Sequence, residues 1–265
     1  MTTAHAAPAT DTLCHLRRAL TRVDTAGLSR APRSSLRFRV EAIDEAFKGG
    51  LALGALHELS PALPAHAGAA TGFALTLATL AQTQRQQVLW IQNTFARTEA
   101  GAPYGPGLSC FGLPMDRLIV LEAARGSDAL WAMEEALKCR AAVTVIAELY
   151  DDGPALDLTV MRRLSLAARE GGGLGLLLRH RPCPVPTTAV TRWEIASALS
   201  VRDQFGGLGR TTFALSLTKN CHGPCGQWVL TWDHHACAFL PAALSLGVAE
   251  TARDRSDRAP FRRTG

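Results

Sequence analysis

Gly68-Ala69-Ala70-Thr71-Gly72-Phe73-Ala74 sits where a phosphate-binding loop belongs, without the side chains that hold phosphate. Upstream, Gly54-Ala55-Leu56-His57-Glu58-Leu59 reads as a glycine turn entering a strand; downstream, residues 72–83 read as a helix and 88–91 as a second strand. Strand, glycine-rich loop and helix form the context in which G-x-x-x-x-G-K-[ST] binds nucleotide, its lysine on the terminal phosphates and its hydroxyl on magnesium. Here Phe73 stands where the lysine belongs and Ala74 where the hydroxyl does. Backbone amides at a helix N-terminus attract an anion, but they replace neither group.

A nucleotide hydrolase needs two further parts, a strand-end carboxylate for magnesium and an acid that orients water. Ala142-Val143-Thr144-Val145-Ile146-Ala147-Glu148 supplies an acid after an apolar strand, with no hydroxyl partner at Ala74. The strand at 88–91 runs into Gln92 and Asn93, both neutral amides. Loss of these parts together predicts no ATP hydrolysis. Gly68, Thr71, Gly72 and Glu148 remain as a vestigial nucleotide site, and no bound ATP is expected. Nucleotide binding without turnover stays open, because the glycines and the helix terminus survive.

Two other constellations invite chemistry. Cys221, His222, Cys225, His234, His235 and Cys237 crowd a short stretch, but their spacing is not that of a zinc site. A strand over 227–233 would hold the two groups roughly 20 Å apart, so no zinc is expected; a zinc-stabilised module is the alternative. His57-Glu58 is followed by Leu59-Ser60-Pro61, so the second histidine of a metalloprotease helix is missing. Glu58 reads instead as a strand-end carboxylate facing the old phosphate loop. Cys110 and Cys139 sit in apolar contexts expected of core thiols.

The elements that must position these residues alternate strand and helix from Leu36 onward. Strands are expected at 37–40, 56–59, 88–91, 118–121, 143–147 and 174–178, with helices at 43–47, 72–83, 128–139 and 158–170. That order predicts an α/β fold, a mostly parallel sheet with helices on both faces. Segments 213–219 and 227–233 alternate apolar and polar residues and predict a C-terminal antiparallel hairpin. Phe213, Leu215 and Leu217 share one face of its first strand; Trp228, Leu230 and Trp232 share one face of the second.

The 265 residues divide into a start, helix and basic linker over 1–35, a core domain over 36–248 and an Arg-rich tail over 249–265. Residues 1–10 read as disordered. Leu13, Leu16, Leu20 and Val23 then recur at helical spacing, with Arg17 and Arg18 largely on the other side. Net charge is +5, and arginine gathers at both ends: seven between Leu13 and Arg39 against Asp24, five after Thr251 against Asp254 and Asp257. Basic ends suit nucleic acid or an acidic protein partner. A hydrophobic fraction of 47% excludes disorder throughout. No signal peptide or membrane span is read, and seven irregularly placed cysteines fit reduced thiols in a cytoplasmic protein.

Phe47-Lys48-Gly49-Gly50-Leu51, the run from Gly54 to Phe73, and Phe111-Gly112-Leu113-Pro114-Met115-Asp116-Arg117-Leu118 resemble the RecA-like ATPase core. With Thr191-Arg192-Trp193-Glu194-Ile195 and Leu217-Thr218-Lys219-Asn220, the pattern resembles the ImuA family, RecA-like proteins without a competent phosphate loop. The resemblance implies a non-catalytic accessory role in SOS-type, damage-induced mutagenesis and bacterial translesion DNA synthesis. Its implied partners are an ImuB-like inactive Y-family polymerase homologue, an error-prone C-family DNA polymerase, and RecA. A SulA-like division inhibitor and a RecA-like ATPase with residual activity are the alternatives. DNA contact would fall on the basic loop after the strand at 174–178. Candidate DNA or partner contacts are Arg17, Arg18, Arg179, Arg181, Arg192, Arg202 and Lys219, with Arg192 alternatively paired to a buried acid and Trp193 in the core.

Overall fold

A computed structural model of the chain describes residues 34–82, 87–150, 156–181, 186–201, 207 and 209–242. Its centre is a nine-stranded sheet in the order β11-β10-β9-β8-β3-β7-β6-β4-β5. The strands are β3 (Ala55–Pro61), β4 (Gln87–Asn93), β5 (Leu118–Ala123), β6 (Ala142–Leu149), β7 (Leu174–Arg179), β8 (Thr191–Ser197), β9 (Thr212–Asn220), β10 (Gly226–Asp233) and β11 (Ala238–Pro241). From β8 across to β5 all neighbours are parallel. From β8 outward to β11 they are antiparallel. Every residue of β3, β6 and β7 is buried, as continuous apolar strands covered on both faces require.

One face carries helix α2 (Ala67–Ala81), the other α5 (Gly126–Lys138) and α6 (Leu158–Gly171). On the α2 face Phe38, Phe73, Trp193, Phe213 and Phe239 form an aromatic cluster with centroids 5.5–6.5 Å apart. The hairpin forms as expected, with Leu215 opposite Trp228 and Phe213 opposite Leu230. Phe213, Leu215, Leu217, Leu230 and Trp232 are buried, and Trp228 packs against them half-buried.

Four sequence expectations change. Residues 37–40 are not a strand: β1 (Ser35–Leu36) pairs only with β2 (Leu51–Ala52). Asp44 in α1 (Glu41–Ala46) accepts the amides of Phe38 and Arg39 at 2.8 and 3.0 Å, and Arg39 turns the chain at φ 61°. Gly50 lets β2 approach β1, since a Cβ there would lie 2.6 Å from the carbonyl oxygen of Leu36. Second, β8, β11, α3 (Thr94–Ala100) and α4 (Gly105–Cys110) add to the expected elements. Third, Cys110 and Cys139 are exposed rather than core thiols.

The fourth change matters most. Gly68 to Gly72 form no loop; they are the opening turns of α2, and neither glycine has positive φ. Ala67-Gly68-Ala69-Ala70 continues into an alanine- and leucine-rich helix with strong helix propensity. Gly72 serves packing, because a Cβ there would lie 3.1 Å from the Phe111 ring.

Candidate functional site

The carboxyl ends of β4 and β6 open into a cleft of about 460 Å³ between the start of α2 and the segment from Glu99 to Leu108. Gly68, Thr71, Gly72 and Glu148, separate in sequence, all line it. Crevices at strand carboxyl ends are where open parallel sheets bind ligands. What lines this one differs from a nucleotide site in three ways.

First, position 73 does not reach the cleft. Phe73 is fully buried, 5.5 Å from Trp193 and 5.9 Å from Phe213 by ring centroid, and Ala74 is buried beside it. Second, Glu148 is occupied. It stands opposite Gln92 on the neighbouring strand, and its Oε2 accepts from Trp90 Nε1 at 2.9 Å and from Gln92 Nε2 at 2.6 Å. His180 Nε2 donates to Oε1 at 2.8 Å. Three donors on a carboxylate only 3% exposed satisfy it inside the protein. Third, the described lining carries Glu99 and Glu148 but no lysine or arginine. A triphosphate entering it meets like charge in a partly desolvated space.

The neutral amides have structural work. Asn93 caps α3 by accepting the amide of Ala96 at 2.9 Å, and Gln92 also donates to the carbonyl of Gly101 at 3.1 Å. At the cleft, Phe95 meets Tyr150 edge-on at 5.4 Å, and Tyr150 lies tilted against His180 at 4.9 Å between ring centroids. Arg181 is exposed, its guanidinium 6.0 Å from the Tyr150 ring centre.

Glu58 does not face α2. It shares the opposite face of β3 with Leu56, whereas Leu59 packs on the α2 side. It is the centre of a buried ion cluster: Arg179 Nε lies 2.6 Å from Oε1, and Arg192 Nε donates to Oε2 at 2.8 Å. Arg192 sits directly opposite Glu58 in the β3–β8 register. The side chains of Arg179 and Glu58 are 7% and 1% exposed, so Arg179 is an interior group rather than part of a displayed loop. Lys219, opposite Arg192 on β9, donates to the carbonyl of Thr187 at 2.5 Å. Arg17, Arg18 and Arg202 lie outside the described residues.

His57 points the other way, into the α2 face, where it joins a directed chain. Its Nε2–H donates to the carbonyl of Ala52 at 2.9 Å, so Nδ1 is left to accept from the Thr191 hydroxyl at 2.8 Å. Thr191 accepts in turn from Trp193 Nε1 at 2.9 Å. Burial lowers the His57 pKa to about 4 from 6.5. The unfolded chain therefore binds a proton that the native state refuses. The stabilisation is complete above about pH 6.5 and is lost as pH falls toward 4, by roughly 3 kcal/mol. Denaturant unfolding at stepped pH should show this slope, and His57→Gln should flatten it; an unchanged slope in the variant would assign it to other groups.

The six cysteines and histidines near the C-terminus divide between turns at opposite ends of β10. Cys221, His222 and Cys225 lie in the β9–β10 turn and His234, His235 and Cys237 in the β10–β11 turn. His234 is held there by the Cys110 carbonyl at 2.7 Å and the Thr211 hydroxyl at 3.2 Å.

Sequence reading missed Trp90, Tyr150 and His180 around Glu148, and Arg179 beside Glu58; the alternative reading, Arg192 paired to a buried acid with Trp193 in the core, is what the structure shows. A signal existed for Arg179: an acid inside an apolar strand needs a buried cation.

No family model matches the chain. Over 218 residues it is 32% identical to Protein ImuA of Caulobacter vibrioides strain NA1000 / CB15N, covering 76% of this chain and 85% of the relative. The Protein ImuA of strain ATCC 19089 / CIP 103742 / CB 15 matches with the same figures.

Proposed function

The chain belongs to the ImuA family, and from that premise we propose that it is a non-catalytic accessory protein of damage-induced mutagenesis. It acts in bacterial translesion DNA synthesis through protein contacts. Its partners are an inactive Y-family polymerase homologue, an error-prone C-family DNA polymerase and RecA, met in the cytoplasm. It uses no bound nucleotide and no metal in this role. Among the described residues no helix is long and apolar enough to cross a membrane.

The observation that carries this reading is the fate of position 73. The side chain that would grip a terminal phosphate is instead a fully buried phenylalanine in the aromatic core. The internal saturation of Glu148 and the acidic cleft support the same conclusion. A protein that neither binds nor cleaves ATP contributes to synthesis through what it holds.

Co-expression with the Y-family homologue tests this. The two should co-purify equally well with and without magnesium-ATP. Association that requires ATP, or no association with any of the three proteins, would contradict the proposal. Direct DNA contact, if made, would involve exposed Arg181 rather than Arg179. Arg181→Ala should then lower the salt dependence of DNA binding by about one counterion, read as the slope of log affinity against log salt.

A further inference from the structure

Glu58 and Glu148 are the buried acids among the described residues, and their surroundings differ. Glu58 has two arginines. Glu148 has an indole, a primary amide and an imidazole. Its oxygens are hydrogen-bonded, yet it is ion-paired to no lysine or arginine among the described residues. Buried carboxylates ordinarily need such a cation. His180, 6% exposed and lining the same cleft, adds an open acceptor. With Nε2 donating to Glu148, Nδ1 is left with no partner among the described residues.

The rest of the lining suits an organic cation. Glu99, at the end of α3, is an exposed carboxylate on the cleft with no ion pair among the described residues. Tyr104, Tyr150 and Trp90 supply aromatic walls, whose ring faces attract cations. The Arg181 guanidinium, 6.0 Å from the Tyr150 ring centre, already makes one such approach from beyond the lining. Gly68, Thr71, Gly72 and Leu75 recur at helical spacing along the flank of α2, roughly two turns of small or apolar surface for an aliphatic stem. The amides at the start of α2 oppose a cation, but that field falls off within the first turn. A bare metal ion is not what this lining holds: among the described residues no three His, Cys, Asp or Glu side chains gather to bind one.

We propose that the cleft is a binding site for an alkylguanidinium ion. Its planar fork meets the Glu99 carboxylate and the His180 acceptor in the field of Glu148, and its stem lies along α2. Guanidinium fits better than ammonium because it is planar, stacks on aromatic rings and is weakly hydrated, so it enters a partly desolvated space at lower cost. A cleft of about 460 Å³ is of the size that takes small ligands. Nucleotide titration tests the accessory role proposed above and a cation titration tests this site; either can fail alone.

Calorimetric titration of the full chain with n-butylguanidinium at low salt is the test, with n-butylurea as the uncharged isostere. The guanidinium should bind with a Kd of about 0.1–1 mM, and the urea at least about 10-fold more weakly. Glu99→Gln should weaken guanidinium binding about 10-fold, and Tyr104→Ala about 3-fold. Both positions are exposed, and circular dichroism should show both variants folded. The blocked peptide acetyl-Gly-Arg-Gly-amide separates the sources of the group. Binding as tight as that of butylguanidinium means that an arginine side chain delivers it, and exclusion of the peptide means a free ligand; either result supports the site. No saturable binding of butylguanidinium at millimolar concentration would overturn the assignment. So would equal affinity for butylurea, or undiminished affinity in the Glu99→Gln variant.

Discussion

Replacing Phe73 with lysine should destabilise the protein by about 4 kcal/mol or more and restore no ATP hydrolysis. Restoring the missing lysine is the natural repair for a degenerate phosphate loop, so the prediction separates a lapsed site from a rebuilt one. Phe73 contacts Phe38, Trp193, Phe213 and Phe239 and is fully buried. Its loss removes a large apolar side chain from the core, and the ammonium that replaces it has no described acid in that cluster. A domain with roughly 5–15 kcal/mol of total stability loses a large share of it. Thermal and urea unfolding of Phe73→Lys and Phe73→Ala should both show the loss, with the lysine variant worse. A lysine variant of native stability that hydrolyses ATP would mean that position 73 can still swing into the cleft.

The second large effect belongs to Glu58. Removing one partner of a buried ion cluster leaves the others uncompensated, at a cost of about 3–5 kcal/mol. Glu58→Gln leaves Arg179 and Arg192 facing each other across β3, with side chains 7% and 16% exposed. The same loss should shrink when the arginines go too. Glu58→Leu with Arg179→Met and Arg192→Leu is expected near wild-type stability, because apolar groups of similar volume replace buried ion pairs at little cost. Unfolding of the single and triple variants measures this non-additivity. Additive losses would mean that the three side chains contribute separately.

These positions also explain what could be read from sequence and what could not. The central strands were legible because covered parallel strands are continuously apolar, and β3, β6 and β7 fall close to their expected places. The hairpin was legible because Phe213, Leu215 and Leu217 alternate. The residue types at 73, 74, 92 and 93 carry the proposal that nucleotide chemistry is lost. Shape could not be read. A glycine-rich segment after a strand reads as a loop, but helix propensity and the packing of Gly72 on Phe111 carry it into α2. Arg179 read as a displayed base because a proline-rich basic segment follows it; its partner Glu58 is 121 positions away, and only sheet register joins them. The Glu148 network has the same cause, since Trp90 and Gln92 meet it across β4 and β6.

The proposed role requires that the cleft at the strand ends no longer take the nucleotide its position suggests. Calorimetric titration of the purified wild-type chain with magnesium-ATP, with phosphate release followed on the same sample, tests that most directly. The expected result is no measurable heat of binding at millimolar nucleotide and no release above the buffer rate, with or without single-stranded DNA. Saturable micromolar binding accompanied by steady phosphate release would contradict it.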